Sequence, residues 1–262
     1  MGTAFFLIFG NSGRGGKSNF LDIPVFTAII STLGLAAALS FFHLGRPRRA
    51  VFVLKNLRRS WLSREIFFEL MFLFLVVLLA FLARKNAAPT IFFQGLVILA
   101  AITGFGFLIS MSKLYMLTTV PVWRSLHTPL SFFLAAALLG PLGAASAQSW
   151  LLKFPERAHS FQNACCVVSL AAIVMIVLTT LLFTPGAGFL GARKTTLLEF
   201  PVARMYPYLV IRLLFLGAAT LFLILYHKEE SGRFMTLAFL SASLAEVSGR
   251  YLFFAFYSRL GV

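Results

Sequence analysis

The sequence predicts an all-α, polytopic transmembrane helical bundle, and three observations predict it. Sixty per cent of the 262 residues are hydrophobic. Only 12% are charged, where a soluble domain averages about 25%. Apolar stretches near the ~20 residues that cross a bilayer recur along the whole chain. Only helices and closed barrels satisfy their backbone polar groups in lipid. These stretches are continuous rather than alternating, so the spans are helical.

Seven full spans follow from the apolar runs: Pro24–His43, Glu65–Ala83, Thr90–Met111, Pro129–Gln148, Asn163–Thr184, Tyr208–Tyr226 and Phe234–Tyr257. Ahead of them, Thr3–Gly10 is apolar but too short to span, and the glycine-rich stretch Asn11–Ser18 follows it. This piece lacks the basic segment that opens a signal peptide. It reads as the remnant of a first span whose beginning lies upstream of Met1. The expected organisation is one integral membrane domain over residues 1–262, with the truncated span and its loop over 1–23 and a seven-helix body over 24–262.

The loops alternate between two faces. One face holds Leu44–Arg64, Ser112–Thr128 and Pro185–Pro207, and it is the more basic. Arg46, Arg48, Arg49, Lys55, Arg58, Arg59 and Arg64 all lie in its first loop. The net charge of +15 would favour nucleic acid in a soluble protein. In short loops it is explained by topology, anionic lipid or an acidic partner surface. Within that first loop Val51, Leu54, Leu57 and Trp61 fall three or four apart, the pattern of a short helix lying in the interface. Cys165 and Cys166 are adjacent and point about 100° apart on a helix. They read as small apolar filler, and no zinc or iron–sulfur spacing occurs.

Ionisable groups inside spans are costly and mark function by default. His43, Glu65, Glu69, Lys113, Tyr115, His127, Arg212, Glu246 and Arg250 all fall toward the same half of the bilayer. Each has a structural reading. Glu65 suits a helix N-terminus capped by Ser63. Glu246 and Arg250, spaced i,i+4, suit an ion pair on one helix. Arg212 could snorkel to the headgroups, and His127 could be solvated in its loop. Their convergence on one leaflet points instead to a polar cavity there. His43 closes one span and Glu65 opens the next on the same side, a proton-handling pair suited to a lipid-soluble redox carrier. The four histidines all lie at helix ends or in loops, so no facing pair of haem ligands is expected.

Three ordered stretches resemble the membrane anchor subunits of dimethyl sulfoxide reductase and related molybdenum oxidoreductases (DmsC-type). The first is His43-Leu44-Gly45-x-Pro47-x-Arg49-Ala50 with Leu62-Ser63-x-Glu65. The second is Lys113-x-Tyr115, Thr119-Val120-Pro121-x-Trp123-x-Ser125, Thr128-Pro129 and Phe132-Phe133. The third is Glu246-x-x-Gly249-Arg250. The resemblance covers nearly everything from Pro24 onward. It implies an eight-span architecture in the bacterial cytoplasmic membrane, without haem, metal or iron–sulfur cluster in this chain. It implies an anchor that oxidises menaquinol and passes electrons to an iron–sulfur subunit feeding a molybdopterin catalytic subunit. His43 and Glu65 match the positions implicated in quinol oxidation. Arg64 stands where a small polar residue is expected, and His127 where an aromatic is expected.

Under that reading His43, which titrates near neutrality, and Glu65 handle the quinol protons. Arg46, Tyr115, Glu246 and Arg250 support the site, and Arg48, Arg49, Lys55, Arg58 and Arg59 dock the partner. A proton-coupled transporter would show paired repeats with broken helices, and neither is present. A lipid-modifying enzyme would need a metal-ligand or nucleophile set that is lacking. A purely structural anchor is the remaining alternative. The placement of the histidines gives one expected outcome. The dithionite-reduced minus oxidised spectrum of the purified chain should show no stoichiometric b-type α-band, and such a band would overturn the haem-free reading.

Overall fold

The computed structural model describes residues 54–85, 90–116, 123–151, 155–183 and 202–255, together with residues 30, 31, 34, 35 and 38. Every regular element among these is helical. A 3₁₀ turn over Leu54–Asn56 precedes α1 (Trp61–Lys85), α2 (Thr90–Tyr115), α3 (His127–Leu151), α4 (Pro155–Phe183), α5 (Val202–Glu229) and α6 (Gly232–Ala255). The described positions between 30 and 38 are helical too, within the first expected full span. His43, Arg46, Arg48, Arg49 and the proposed first-span remnant lie outside the described residues.

Five helices, α1 to α5, are long and apolar enough to cross a membrane. The 24 residues of α6 give about 36 Å at 1.5 Å per residue, also long enough. Its serines, with Glu246 and Arg250, keep its composition below that of the other five. Among the described residues five helices thus have the composition of a span; of the first expected span only residues 30, 31, 34, 35 and 38 are described.

The helices fall into two compact units, one containing α1 and α2, the other α3 to α6. In the first, α1 and α2 pack antiparallel. Phe72, Leu75, Val76, Leu79 and Ala83 of α1 form one buried core with Val97 and Ala100 of α2. Their steps of three and four residues keep one helical face turned inward. Phe72 lies against Gly104, and Phe68 fills the space over Gly106, where a Cβ would sit 2.7 Å from its ring. The other side of α1 exposes Leu70, Phe74, Val77 and Phe81, as suits a lipid-facing surface.

In the second unit α5 and α6 pack along their lengths. Among the described residues of α5, Arg212, Leu216, Ala219, Leu223 and Tyr226 are buried. They step alternately four and three residues, the 3.5-residue seam of knobs-into-holes packing. Facing them, α6 buries Met235, Ala238, Ser241, Ala242, Ala245, Glu246, Gly249, Leu252 and Phe253. Small residues there let two helices approach closely where lipid supplies no hydrophobic drive.

Side-chain bonds fix the order of the bundle. At one end of α3, Trp150 Nε1 donates to Thr236 Oγ1 at 2.7 Å and Ser146 Oγ donates to the same oxygen at 3.1 Å. At the other, Trp123 Nε1 donates to the Phe253 carbonyl at 3.0 Å. Thus α3 runs antiparallel to α6. Tyr226 of α5 donates to Gln162 of α4, whose Nε2 donates to Ser149 Oγ of α3 at 3.1 Å. That neutral network joins all four helices at the end remote from the buried charges.

The Gly106 contact gives a direct test. Gly106→Ala should lower the stability of the detergent-purified chain by about 1–3 kcal/mol through overpacking against Phe68. Phe68→Leu added to it should recover part of the loss in thermal unfolding followed by circular dichroism. An unchanged midpoint in the single variant would show that the contact is slack.

Candidate functional site

Two polar clusters stand out, one in each unit. The first is built on the opening turns of α1. That helix begins at Trp61, four residues earlier than its apolar run indicates. Its cap is Ser60 rather than Ser63, with Ser60 Oγ accepting from the Ser63 N–H at 3.3 Å. Glu65 therefore sits in the second turn, where the helix macrodipole no longer accounts for it, since that effect fades within the first turn.

Glu65 is half-buried, and its Oε2 is fully enclosed with no hydrogen-bond partner. Glu69 lies one turn deeper on the same side, near enough for the two carboxylates to feel each other's charge. Ser63 of α1 and Ser110 and Ser112 of α2 are also buried. Ser112 Oγ donates to the Leu108 carbonyl at 2.7 Å. Tyr115 closes α2 at this same end of the antiparallel pair. A buried carboxylate oxygen without a donor is costly. It is suited to accept a hydrogen bond, or a proton, from a ligand hydroxyl.

Arg64 has a definite task. Its Nε donates to the Leu57 carbonyl at 2.9 Å and its Nη2 to the Arg58 carbonyl at 2.7 Å. Its guanidinium also stacks over the Trp61 ring at 4.2 Å. The side chain clamps the turn that carries Lys55, Arg58 and Arg59, all exposed. The expected interfacial helix across this loop is, where described, the single 3₁₀ turn Leu54–Asn56.

The second cluster brings together the second and third sequence motifs. Glu246 Oε1 meets Arg212 Nη2 at 3.2 Å, an ion pair between α6 and α5 rather than within α6. Arg212 Nη1 donates to Thr180 Oγ1 of α4 at 3.4 Å. Arg212 does not snorkel: it is 8% exposed and Glu246 7%. Gly249 makes the pair possible, because a Cβ there would lie 2.7 Å from the Arg212 Cζ. One turn on, Arg250 lies over the Phe132 ring of α3 at 3.9 Å. Trp123 stacks on Phe253 with ring centroids 5.1 Å apart. His127, the first residue of α3, lies within electrostatic reach of Arg212 and Arg250. It belongs to the helix, not to a solvated loop.

Of the residues read from the sequence, Glu65 and Tyr115 share one end of the first unit. Glu246, Arg250, Arg212 and His127 share one end of the second. Arg212 is read from the sequence as part of the polar cavity but not as a quinol-site residue, and Thr180 is not read at all. Arg212 carried a signal, a cation within an apolar run, whereas Thr180 had none. Among the described residues no three His, Cys, Asp or Glu side chains come together as metal ligands.

Removing one member of the buried pair strands the other. Arg212→Met and Glu246→Gln should each lower the amount of folded protein in membranes, at a cost of about 3–5 kcal/mol. The double replacement Arg212→Met with Glu246→Met should recover much of it, while Cys165→Ser changes little. Wild-type accumulation of both single variants would show the pair to be dispensable.

Comparison with known proteins bears on the family of the chain. Over 146 residues the sequence is 28% identical to a subunit of the anaerobic dimethyl sulfoxide reductase of Haemophilus influenzae, covering 56% of this protein and 50% of that one. Over 114 residues it is 32% identical to the anaerobic dimethyl sulfoxide reductase subunit YnfH of Escherichia coli K12, covering 44% of this protein and 40% of that one. The chain thus spans about half the length, or less, of these curated relatives. No solved structure matches it. The family model of the DMSO reductase anchor subunit matches from residue 3 to residue 256. With its apolar helices and motifs in that order, the protein belongs to the DMSO reductase anchor subunit (DmsC) family of multi-pass membrane proteins.

Proposed function

We propose that this chain anchors a reductase complex in the bacterial inner membrane and oxidises menaquinol there. The observation that carries the reading is the enclosed, unpartnered Oε2 of Glu65 in the second turn of α1. A quinol hydroxyl supplies the donor that this oxygen lacks. Oxidation of one quinol releases two protons and two electrons. Glu65 and His43 take the protons. The electrons pass to an iron–sulfur subunit and from it to a molybdopterin catalytic subunit, because this chain is read as holding no redox centre of its own. Arg46 and Tyr115 supply further donors to the quinol oxygens. The basic loop after His43, with Arg48 and Arg49, faces the partner.

A second reading puts the quinol headgroup at the Arg250 end of the other unit. The cation over Phe132 and the stacked Trp123 and Phe253 favour it, since aromatic faces suit a flat ring. Glu246 and Arg250 then become primary rather than supporting residues.

Two variants separate these readings. Glu65→Gln keeps size and most hydrogen bonding but removes the base, and His43→Ala removes the imidazole. Each should abolish electron transfer from a reduced menaquinol analogue in membranes holding the assembled complex. Each should leave the activity driven by an artificial donor to the catalytic subunit. Loss of both activities would assign the region to docking or assembly. Retention of both would move the quinol to the Arg250 cluster.

A further inference from the structure

The turn before α1 carries Lys55, Arg58 and Arg59, read from the sequence as part of a partner-docking set, beside apolar residues that such docking does not use. Arg58 and Arg59 are exposed and form no ion pair among the described residues, with exposed Lys55 beside them. Apolar residues stand exposed in the same short stretch: Leu54, Trp61 and Leu62. Deeper in α1, Leu70, Phe74, Val77 and Phe81 are exposed at steps of four and three that keep to one side of the helix, with Leu62 two turns above at the edge of that side. A cationic knuckle therefore precedes a helix that carries an exposed apolar stripe.

Arg64 holds that knuckle in shape. Its Nε and Nη2 donate to the Leu57 and Arg58 carbonyls, and its face lies on Trp61. It contributes positioning, leaving Arg58 and Arg59 to meet a ligand. This is the task of the arginine that stands where a small polar residue is expected.

We propose that this turn and the upper surface of α1 bind one anionic phospholipid. Arg58 and Arg59 hold its phosphate, Lys55 lies alongside, Trp61 sits at the headgroup level, and an acyl tail follows the exposed side chains from Leu62 to Leu70 and Phe74, about the depth of one leaflet. Guanidinium groups match phosphate oxygens in pairs, and tryptophan beside basic residues is the usual composition of the membrane–water boundary. An acidic protein surface would satisfy the cations but leave Leu54, Trp61 and Leu62 uncovered, and it would not use the stripe. The proposal stands apart from the quinol reading, since it involves neither carboxylate of α1.

The test uses the full-length protein, delipidated in detergent and followed by native mass spectrometry. Phosphatidylglycerol and phosphatidylcholine of equal acyl length are the probes. Wild type should retain phosphatidylglycerol at concentrations where phosphatidylcholine adducts are absent. Each cation removed should weaken retention about fivefold, so Arg58→Ala with Arg59→Ala should lose more than tenfold. Arg64→Ala should lose retention with both ligand cations still present, and Lys228→Ala, an exposed lysine of α5, should bind as wild type does. Circular dichroism verifies that each variant keeps its helices. Equal retention of the two lipids, or unchanged binding in the double variant, overturns the proposal. Displacement of the lipid by inorganic phosphate would assign the site to free phosphate. Loss of an iron–sulfur partner from the double variant in cells, with lipid retention intact, would assign the turn to protein docking.

Discussion

A guanidinium and a carboxylate meeting at 3.2 Å, both buried between helices, govern the unit formed by α3 to α6. Either charge alone in that environment is costly, and most of that cost is recovered only when geometry brings the two together with further hydrogen bonds. The seam between α5 and α6 provides that geometry. Its small residues bring the backbones close, and Gly249 leaves the space that the Arg212 guanidinium fills. Thr180 adds a bond from a third helix. The polarity of α6 is thus tolerated because α5 carries its complement.

The same constraint shapes both ends of this unit. At the charged end, Trp123 just before α3 and Phe132 of α3 pack against Phe253 of α6, and Arg250 lies over Phe132. At the other end, neutral groups among the described residues join the helices, through Gln162, Tyr226, Ser149, Ser146, Trp150 and Thr236. Neutral bonds in lipid each contribute modestly, but several at one level fix register without burying charge. In the other unit, polar residues gather at the end of α1 and α2 that holds Glu65, while the remaining length packs as Phe, Leu and Val around small residues of α2.

Most of the helices were legible because lipid imposes a long apolar run that few other contexts require. Glu65, Arg212, Glu246 and Arg250 were legible for the converse reason, as charges interrupting such runs. Partners were not. The i,i+4 spacing of Glu246 and Arg250 is visible in one dimension, whereas Arg212 lies 34 residues away and meets Glu246 only through the register of two helices. The cap fell on Ser60 instead of Ser63 because Trp61 and Leu62 extend α1 beyond its most apolar part. The neutral network escaped notice because Ser, Thr, Gln and Tyr are common enough in spans to carry no signal singly. Arg64 was conspicuous as a departure from pattern, but its reason lay in two backbone carbonyls that no side-chain pattern reveals.

The bond from the Trp123 indole to the Phe253 carbonyl joins residues 130 apart. That carbonyl is among the last of α6, where helical partners run out, so the bond also closes the helix end. A ribosome adding roughly 5–20 residues per second needs on the order of ten seconds to make the intervening segment. Through that interval α3 is already synthesised while its ring-stacking partner does not exist. Arg212 waits a much shorter time for Glu246. The order of synthesis therefore favours pairing of the charged helices as a late hairpin, with the aromatic latch at Trp123 closing afterward, so that this half of the molecule gains its final form only as its C-terminal helix arrives.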